Sequence, residues 1–179
     1  MSAKQLRIFP YAAESVRRIR ELGFKAILVS NQPGVAKRQF TYSEFQKMSE
    51  KVRKELSKHE CLLDAEYYCL HHPHALVQKY KLVCDCRKPK PGLLFQAAKE
   101  NDLDLGNSFF VGDALVDVKA GRAAGCRTIL LGHVTTFLSS MIEKEDARPD
   151  FMLPSLRQVP DLLRNLKPEG TTVGKKVRN

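Results

Sequence analysis

Two short clips constrain this chain more than anything else in it: C-L-H at Cys69–His71 and C-D-C at Cys84–Cys86, with twelve residues between them. Neither clip nor the stretch joining them carries the apolar periodicity of a helix or a strand. A compact domain seldom tolerates so long an irregular excursion unless something holds it. Thiols and an imidazole in two tight pairs make a tetrahedral ligand set, so Cys69, His71, Cys84 and Cys86 read as a structural zinc site. A disulfide between Cys84 and Cys86 would be strained across one residue. Unrelated buried thiols are the blander alternative. His72 and His74 compete for the imidazole position, and spacing alone selects His71.

The second clip runs straight into Arg87 and Lys88, followed by Pro89, Pro91 and Gly92. The prolines stiffen the backbone beneath the two cations. Fixed cations beside a rigid loop suit a phosphate, because a mobile lysine loses entropy when it binds. An Arg-Lys pair is more often a solvated basic loop, so the choice depends on what shares its side of the fold.

Taken in order, Ala12, Val16, Ile19 and Leu22 recur at helical spacing and Gly23 ends that helix. Residues 25–30 form an apolar run suited to a buried strand. Thr41 with Glu44 makes a capping box, opening a helix to about His59 whose inner stripe is Phe45, Met48, Val52 and Leu56. Further strands are expected at Ala65–Cys69, Ser108–Gly112 and Arg127–Leu131, with a short fifth near Phe151. Helices are expected from Pro91, over Ala114–Ala124 and over Ser155–Leu166. The alternation argues an α/β fold, a parallel sheet between layers of crossover helices.

Such sheets bind ligands at the carboxyl ends of their strands. Ser30, Asn31 and Gln32 close the first strand, and Asp113 closes the third expected one with Asp117 a turn later. Hydroxyl, amide and backbone N–H groups suit a phosphate. Arg87 and Lys88 bring positive charge, and Asp113 is a hard oxygen ligand of the kind magnesium takes.

Together these motifs resemble the haloacid dehalogenase superfamily of phosphatases. V-S-N-Q-P-G-V-A matches its second motif, R-K-P-K-P-G carries the lysine of its third, and V-G-D-A-L-V-D matches its fourth. Within that superfamily the zinc-loop spacing is similar to the D,D-heptose 1,7-bisphosphate phosphatase family, with histidinol-phosphatase domains close behind. The resemblance implies a three-layer, Rossmann-like fold and a phosphomonoesterase acting on a small phosphorylated sugar through an aspartyl-phosphate. It places Ser30, Asn31, Gln32, Pro33, Arg87 and Lys88 against substrate, with Lys88 as the catalytic residue that stabilises charge on the phosphoryl oxygens. Asp113 becomes a ligand of catalytic magnesium. The heptose phosphatases typically have Lys after that aspartate, and this chain has Ala114.

The resemblance also calls for an aspartate nucleophile and, two residues on, an aspartate acid/base, both ending the central first strand. Before Ser30 the only acids are Glu14 and Glu21. That central strand is therefore expected to be missing, leaving unpaired apolar edges at Ala26–Val29 and Phe109–Val111. The sequence then reads as a fragment, or as one with a misassigned start. The alternative is a non-catalytic phosphate-binding protein.

Composition narrows the partners. The net charge of +10 invites nucleic acid, but the basic residues are spread over helix faces rather than interleaved with aromatics. Part of the excess lies in residues 169–179, expected to be a disordered tail behind a domain spanning 1–168. No run is apolar enough for a membrane span and no signal peptide is visible. The expectation is a cytoplasmic monomer with no nucleic-acid or membrane partner.

Overall fold

The computed structural model describes Leu6 and residues 8–166; the expected tail at 169–179 lies outside them. Helix α1 (Pro10–Glu21) opens on a proline, which lacks the N–H a first turn leaves unsatisfied anyway, and ends with Arg18 and Arg20 against the negative end of its dipole. Strand β1 (Ile27–Asn31) follows. Helix α2 (Tyr42–Ser57) begins at the expected capping box, with Thr41 Oγ1 accepting from the Glu44 N–H and Glu44 returning the bond to the Thr41 N–H. Phe45, Met48 and Leu56 of its expected stripe are buried, and Val52 packs half-buried beside them.

Strand β2 (Ala65–Cys69) leads into the irregular loop. Then come α3 (Gly92–Asn101), β3 (Phe109–Gly112), α4 (Leu115–Ala123), β4 (Arg127–Leu131), α5 (Thr136–Lys144), β5 (Phe151–Leu153) and α6 (Val159–Leu166). Helix α5 is the element the sequence reading omitted. Its signal was present: Thr135 caps the Leu138 N–H, and Phe137, Leu138, Met141 and Ile142 share a helical face. The last expected helix splits, a short 3₁₀ turn at Leu156–Gln158 preceding α6.

All strand pairs are parallel. β1 lies on β2 with Ile27 opposite Ala65 and Asn31 opposite Cys69. β3, β4 and β5 form a second group, Phe109 opposite Arg127 and Ile129 opposite Phe151. Among the described residues no pairing joins β1 to β3. On one face α3 and α4 pack with Val29, Tyr67, Cys69 and Cys126. On the other, α1 and α6 enclose Ile129, Val159 and Leu163 with Phe24 and Phe109. The result is the three-layer architecture expected, with a gap where a central strand would lie. That gap is a cavity of about 520 Å³ lined by Ile19, Val29, Leu94, Ala97, Phe109 and Val111. Among the described residues no helix is long and apolar enough to cross a membrane.

Candidate functional site: a thiol and imidazole cluster beside a cationic rim

Cys69 ends β2 fully buried, and the chain turns so that His71 folds back over it while Cys84 and Cys86 arrive from the far side of the loop. The sulfurs stand 3.6 Å (Cys69–Cys84), 3.3 Å (Cys69–Cys86) and 3.1 Å (Cys84–Cys86) apart. His71 Nδ1 lies 3.3 Å from Cys86 Sγ and 3.9 Å from Cys69 Sγ. All four ligand atoms fall within 4.8 Å of one another. Bonds of about 2.3 Å from sulfur to a tetrahedral ion put ligand atoms roughly 3.8 Å apart, so the cluster can hold a metal ion. His72 and His74 are excluded from it, the His74 N–H donating to His72 Nδ1 instead.

Burial raises the Cys69 and Cys86 thiols above their ordinary value, with the neighbouring sulfurs adding to the rise at Cys86. Burial pushes Cys84 up as well, but hydrogen bonds from Cys86, Cys69 and the Arg87 and Cys86 backbone bring it below its usual range. Backbone N–H groups aimed at sulfur are an outer shell that steadies a thiolate ligand. The clip is closed by Gly92, whose N–H donates to Asp85 O at 3.0 Å. A side chain there would run into the Asp85 carbonyl and the Cys86 nitrogen.

The cluster passes its position on to the two cations. Arg87 Nη1 donates to His71 O at 3.1 Å. Asn31, at the end of β1, clamps the next residue's backbone from both sides: Nδ2 donates to Lys88 O at 3.0 Å and Oδ1 accepts from Lys88 N at 3.1 Å. Lys88 then reaches inward. Its ammonium donates to Val29 O at 2.9 Å, pairs with Asp117 Oδ1 at 2.7 Å and lies 5.4 Å from the centre of the Phe110 ring. The two charged side chains are only 11% and 8% exposed, so the pair is largely desolvated and each partner depends on the other.

In the sequence Asp117 stands out only by its spacing from Asp113. The fold makes it the lysine's counter-ion. Its second oxygen accepts from the Ala114 N–H at 3.1 Å, and its side chain occupies the space a Cβ on Gly112 would need. G-D-x-x-x-D was the available signal, since four residues of helix return the second carboxylate to the strand end. Asp113 itself is exposed at the rim. Ser30 Oγ accepts from Gln32 Nε2 at 3.1 Å, and the Gln32 N–H is tied to Cys69 O at 2.8 Å. Among the described residues no hydrogen bond joins Lys88 to Ser30 or Asp113.

Known proteins bear on this arrangement directly. The HAD-hydrolase-like family model matches residues 85–159. The D-glycero-β-D-manno-heptose-1,7-bisphosphate 7-phosphatase of Escherichia coli K12 is 36% identical over 151 residues, covering 84% of this chain and 78% of that one. The chain belongs to the haloacid dehalogenase-like phosphatases. The 7-phosphatase of the same name from Pasteurella multocida is 34% identical, over 91% of this chain and 86% of its own. Among solved structures, D,D-heptose 1,7-bisphosphate phosphatase from B. bronchiseptica, complexed with magnesium and phosphate, superposes with a TM-score of 0.77 at 24% identity. That match covers 93% of this chain and 88% of the other, and it shows the fold.

The sequence's single D-x-D, Asp102-Leu-Asp104, follows α3 and so lies at the amino end of β3, across the sheet from Lys88. Asp102 is the left-handed cap of α3, and Asp104 folds onto the Gly106 N–H and the Asn107 amide. For magnesium, the rim offers Asp113 while the Asp117 carboxylate is engaged by Lys88. One carboxylate is a poor fit for that ion.

Proposed function

We propose that this chain carries the phosphate-gripping rim of a phosphomonoesterase of the D,D-heptose 1,7-bisphosphate type. The observation that carries the proposal is the Lys88 ammonium, held between Val29 O and Asp117 Oδ1 at the carboxyl ends of β1 and β3. Ser30, Asn31, Gln32, Pro33 and Arg87 are proposed to meet the substrate alongside it, Asn31 mainly by fixing the lysine's backbone. The cluster of Cys69, His71, Cys84 and Cys86 is proposed to bind structural zinc, its four protein ligands leaving no open position for substrate. Bound there, zinc supplies rigidity to the segment that carries Arg87 and Lys88. Asp113 is the residue that would contribute to magnesium. The substrate class is a small phosphorylated sugar, and the chain is proposed to act as a cytoplasmic monomer.

Binding and turnover separate in this reading. Hydrolysis through an aspartyl-phosphate needs a carboxylate nucleophile at the rim, and the family's D-x-D has no counterpart before Ser30. The expected result is therefore saturable binding of heptose 1,7-bisphosphate by titration calorimetry without catalytic release of phosphate. Arg87→Ala should weaken that binding about tenfold or more, since a charge-assisted contact contributes roughly 1.5–3 kcal/mol. Unchanged affinity in Arg87→Ala, or tighter binding of histidinol phosphate, would overturn the substrate assignment. Sustained phosphate release would show a nucleophile among these residues.

A further inference from the structure

Away from the rim, β2 borders a polar pocket that the phosphate site does not use. Tyr68 packs edge to face on Phe45 of α2, ring centres 4.9 Å apart. Glu66, two residues earlier on the strand, therefore lies on the same side, between β2 and α2. Tyr67 and Cys69 go to the opposite side, with α3. Ser49, buried on α2, donates to Glu66 Oε2 at 2.8 Å, and the Tyr68 hydroxyl donates to the same oxygen at 3.1 Å. Burial, with the Glu66 charge adding to it, pushes the Tyr68 hydroxyl up to about 12, so it stays a donor. The carboxylate is thus fixed through one of its oxygens.

The other oxygen is left over. Among the described residues, Glu66 Oε1 is the one buried side-chain oxygen or nitrogen with no hydrogen-bond partner. Arg53, one turn beyond Ser49 on the same helix face, brings its Nε to 3.8 Å from it, close enough to attract and too far to donate. The Arg53 side chain is 59% exposed and that of Glu66 only 12%. An unmatched buried acceptor costs free energy, so such an atom calls for a donor. Beside it lies a cleft of about 480 Å³ whose walls include Tyr42, Phe45, Arg53 and Tyr68. Asp64, the second carboxylate of that cleft, is already committed to Arg20 and to the Ala26 N–H.

We propose that this cleft binds a small apolar α-amino acid as its zwitterion, the ammonium on Glu66 Oε1 and the carboxylate on the Arg53 guanidinium. A simple cation is the poorer fit, because it displaces Arg53 and leaves that guanidinium unpaired beside it. A simple anion meets the Glu66 carboxylate. The zwitterion exchanges one loose ion pair for two charge-assisted contacts, and a guanidinium receives a carboxylate through two parallel N–H groups. Its apolar side chain then lies against the Tyr42 and Phe45 rings, the mixture of aromatic wall and few polar anchors that small-molecule sites share. Neither the thiol and imidazole cluster nor Lys88 takes part, so this site stands or falls apart from the phosphatase reading.

Titration calorimetry on the full chain tests this, with L-leucine as the probe. Isoamylamine and 4-methylpentanoate are the controls, each keeping the leucine side chain and one of its two charged ends. Leucine should bind at one site per chain, and each control about tenfold or more weakly. Glu66→Gln and Arg53→Gln should each lower leucine affinity about tenfold or more. Should Glu66→Gln fail to fold, Arg53→Gln, at an exposed position, carries the test together with the two controls. No binding at millimolar leucine would overturn the proposal, Arg53 or solvent then satisfying Oε1. Isoamylamine binding as tightly as leucine, or unchanged affinity in Arg53→Gln, would overturn it as well.

Discussion

At the residue scale, Lys88 and Asp117 are the pair on which the rim turns. Both are nearly excluded from water, and removing one partner strands the other. Lys88→Met should cost about 3 kcal/mol in urea denaturation, and adding Asp117→Leu should recover most of it. A single-variant cost below about 1 kcal/mol would mean that the pair is effectively solvated. Gly92 is a second point of leverage, because the Asp85 carbonyl and Cys86 nitrogen occupy the place of a Cβ. Gly92→Ala should displace the C-x-C clip and lower metal affinity about tenfold, read by competition with a chromogenic chelator.

The irregular loop between β2 and α3 behaves as an element in its own right, cross-linked by the thiol and imidazole cluster rather than by a backbone ladder. Stripping the metal should open it, and trypsin should then cut at Arg87, Lys81 or Lys79 before it cuts within the helices. Metal analysis should find one zinc per chain, lost in Cys86→Ser. Elsewhere, the β4–β5 group is tied by Asp150, whose Oδ2 accepts from the Thr128 N–H at 2.6 Å and from Thr128 Oγ1 at 2.7 Å. The Thr128 N–H holds the Asp150 carboxyl below its ordinary 3.8. Since the folded value is the lower one, this stabilisation is complete above about pH 5 and disappears as pH falls through the folded value. Asp150→Asn should therefore flatten the loss of stability as pH falls below the ordinary carboxylate value of 3.8, measured by thermal melts at descending pH.

For the whole molecule, no strand pairing joins β1–β2 to β3–β4–β5 among the described residues. Among the described residues the strand amides at the gap have no ladder partner, so Val29 and Val111 should exchange about tenfold faster than Ser30 and Phe110 beside them. Comparable rates would mean that the two sheet edges are already satisfied. The alternation of elements, the capping box at Thr41 and the clip spacing were legible because each is written in local sequence: a period, a cap, two pairs of ligands. Helix α5 was harder to see, because it buries none of its residues fully and its apolar face follows a Thr-Thr start.

By itself the sequence determined the parallel α/β class, the grouping of Cys69, His71, Cys84 and Cys86 into a cluster that can hold a metal ion, and the place of Arg87 and Lys88 directly after it, since all of these follow from residue type and spacing. Only the tertiary structure decided that Asp117 rather than Asp113 takes Lys88, that Asn31 spends its amide on the lysine's backbone, and that the two sheet edges face one apolar slot. Those outcomes depend on which side chains meet across 57 residues of chain for Asn31 and Lys88 and across 29 for Lys88 and Asp117, and no local pattern encodes such distances.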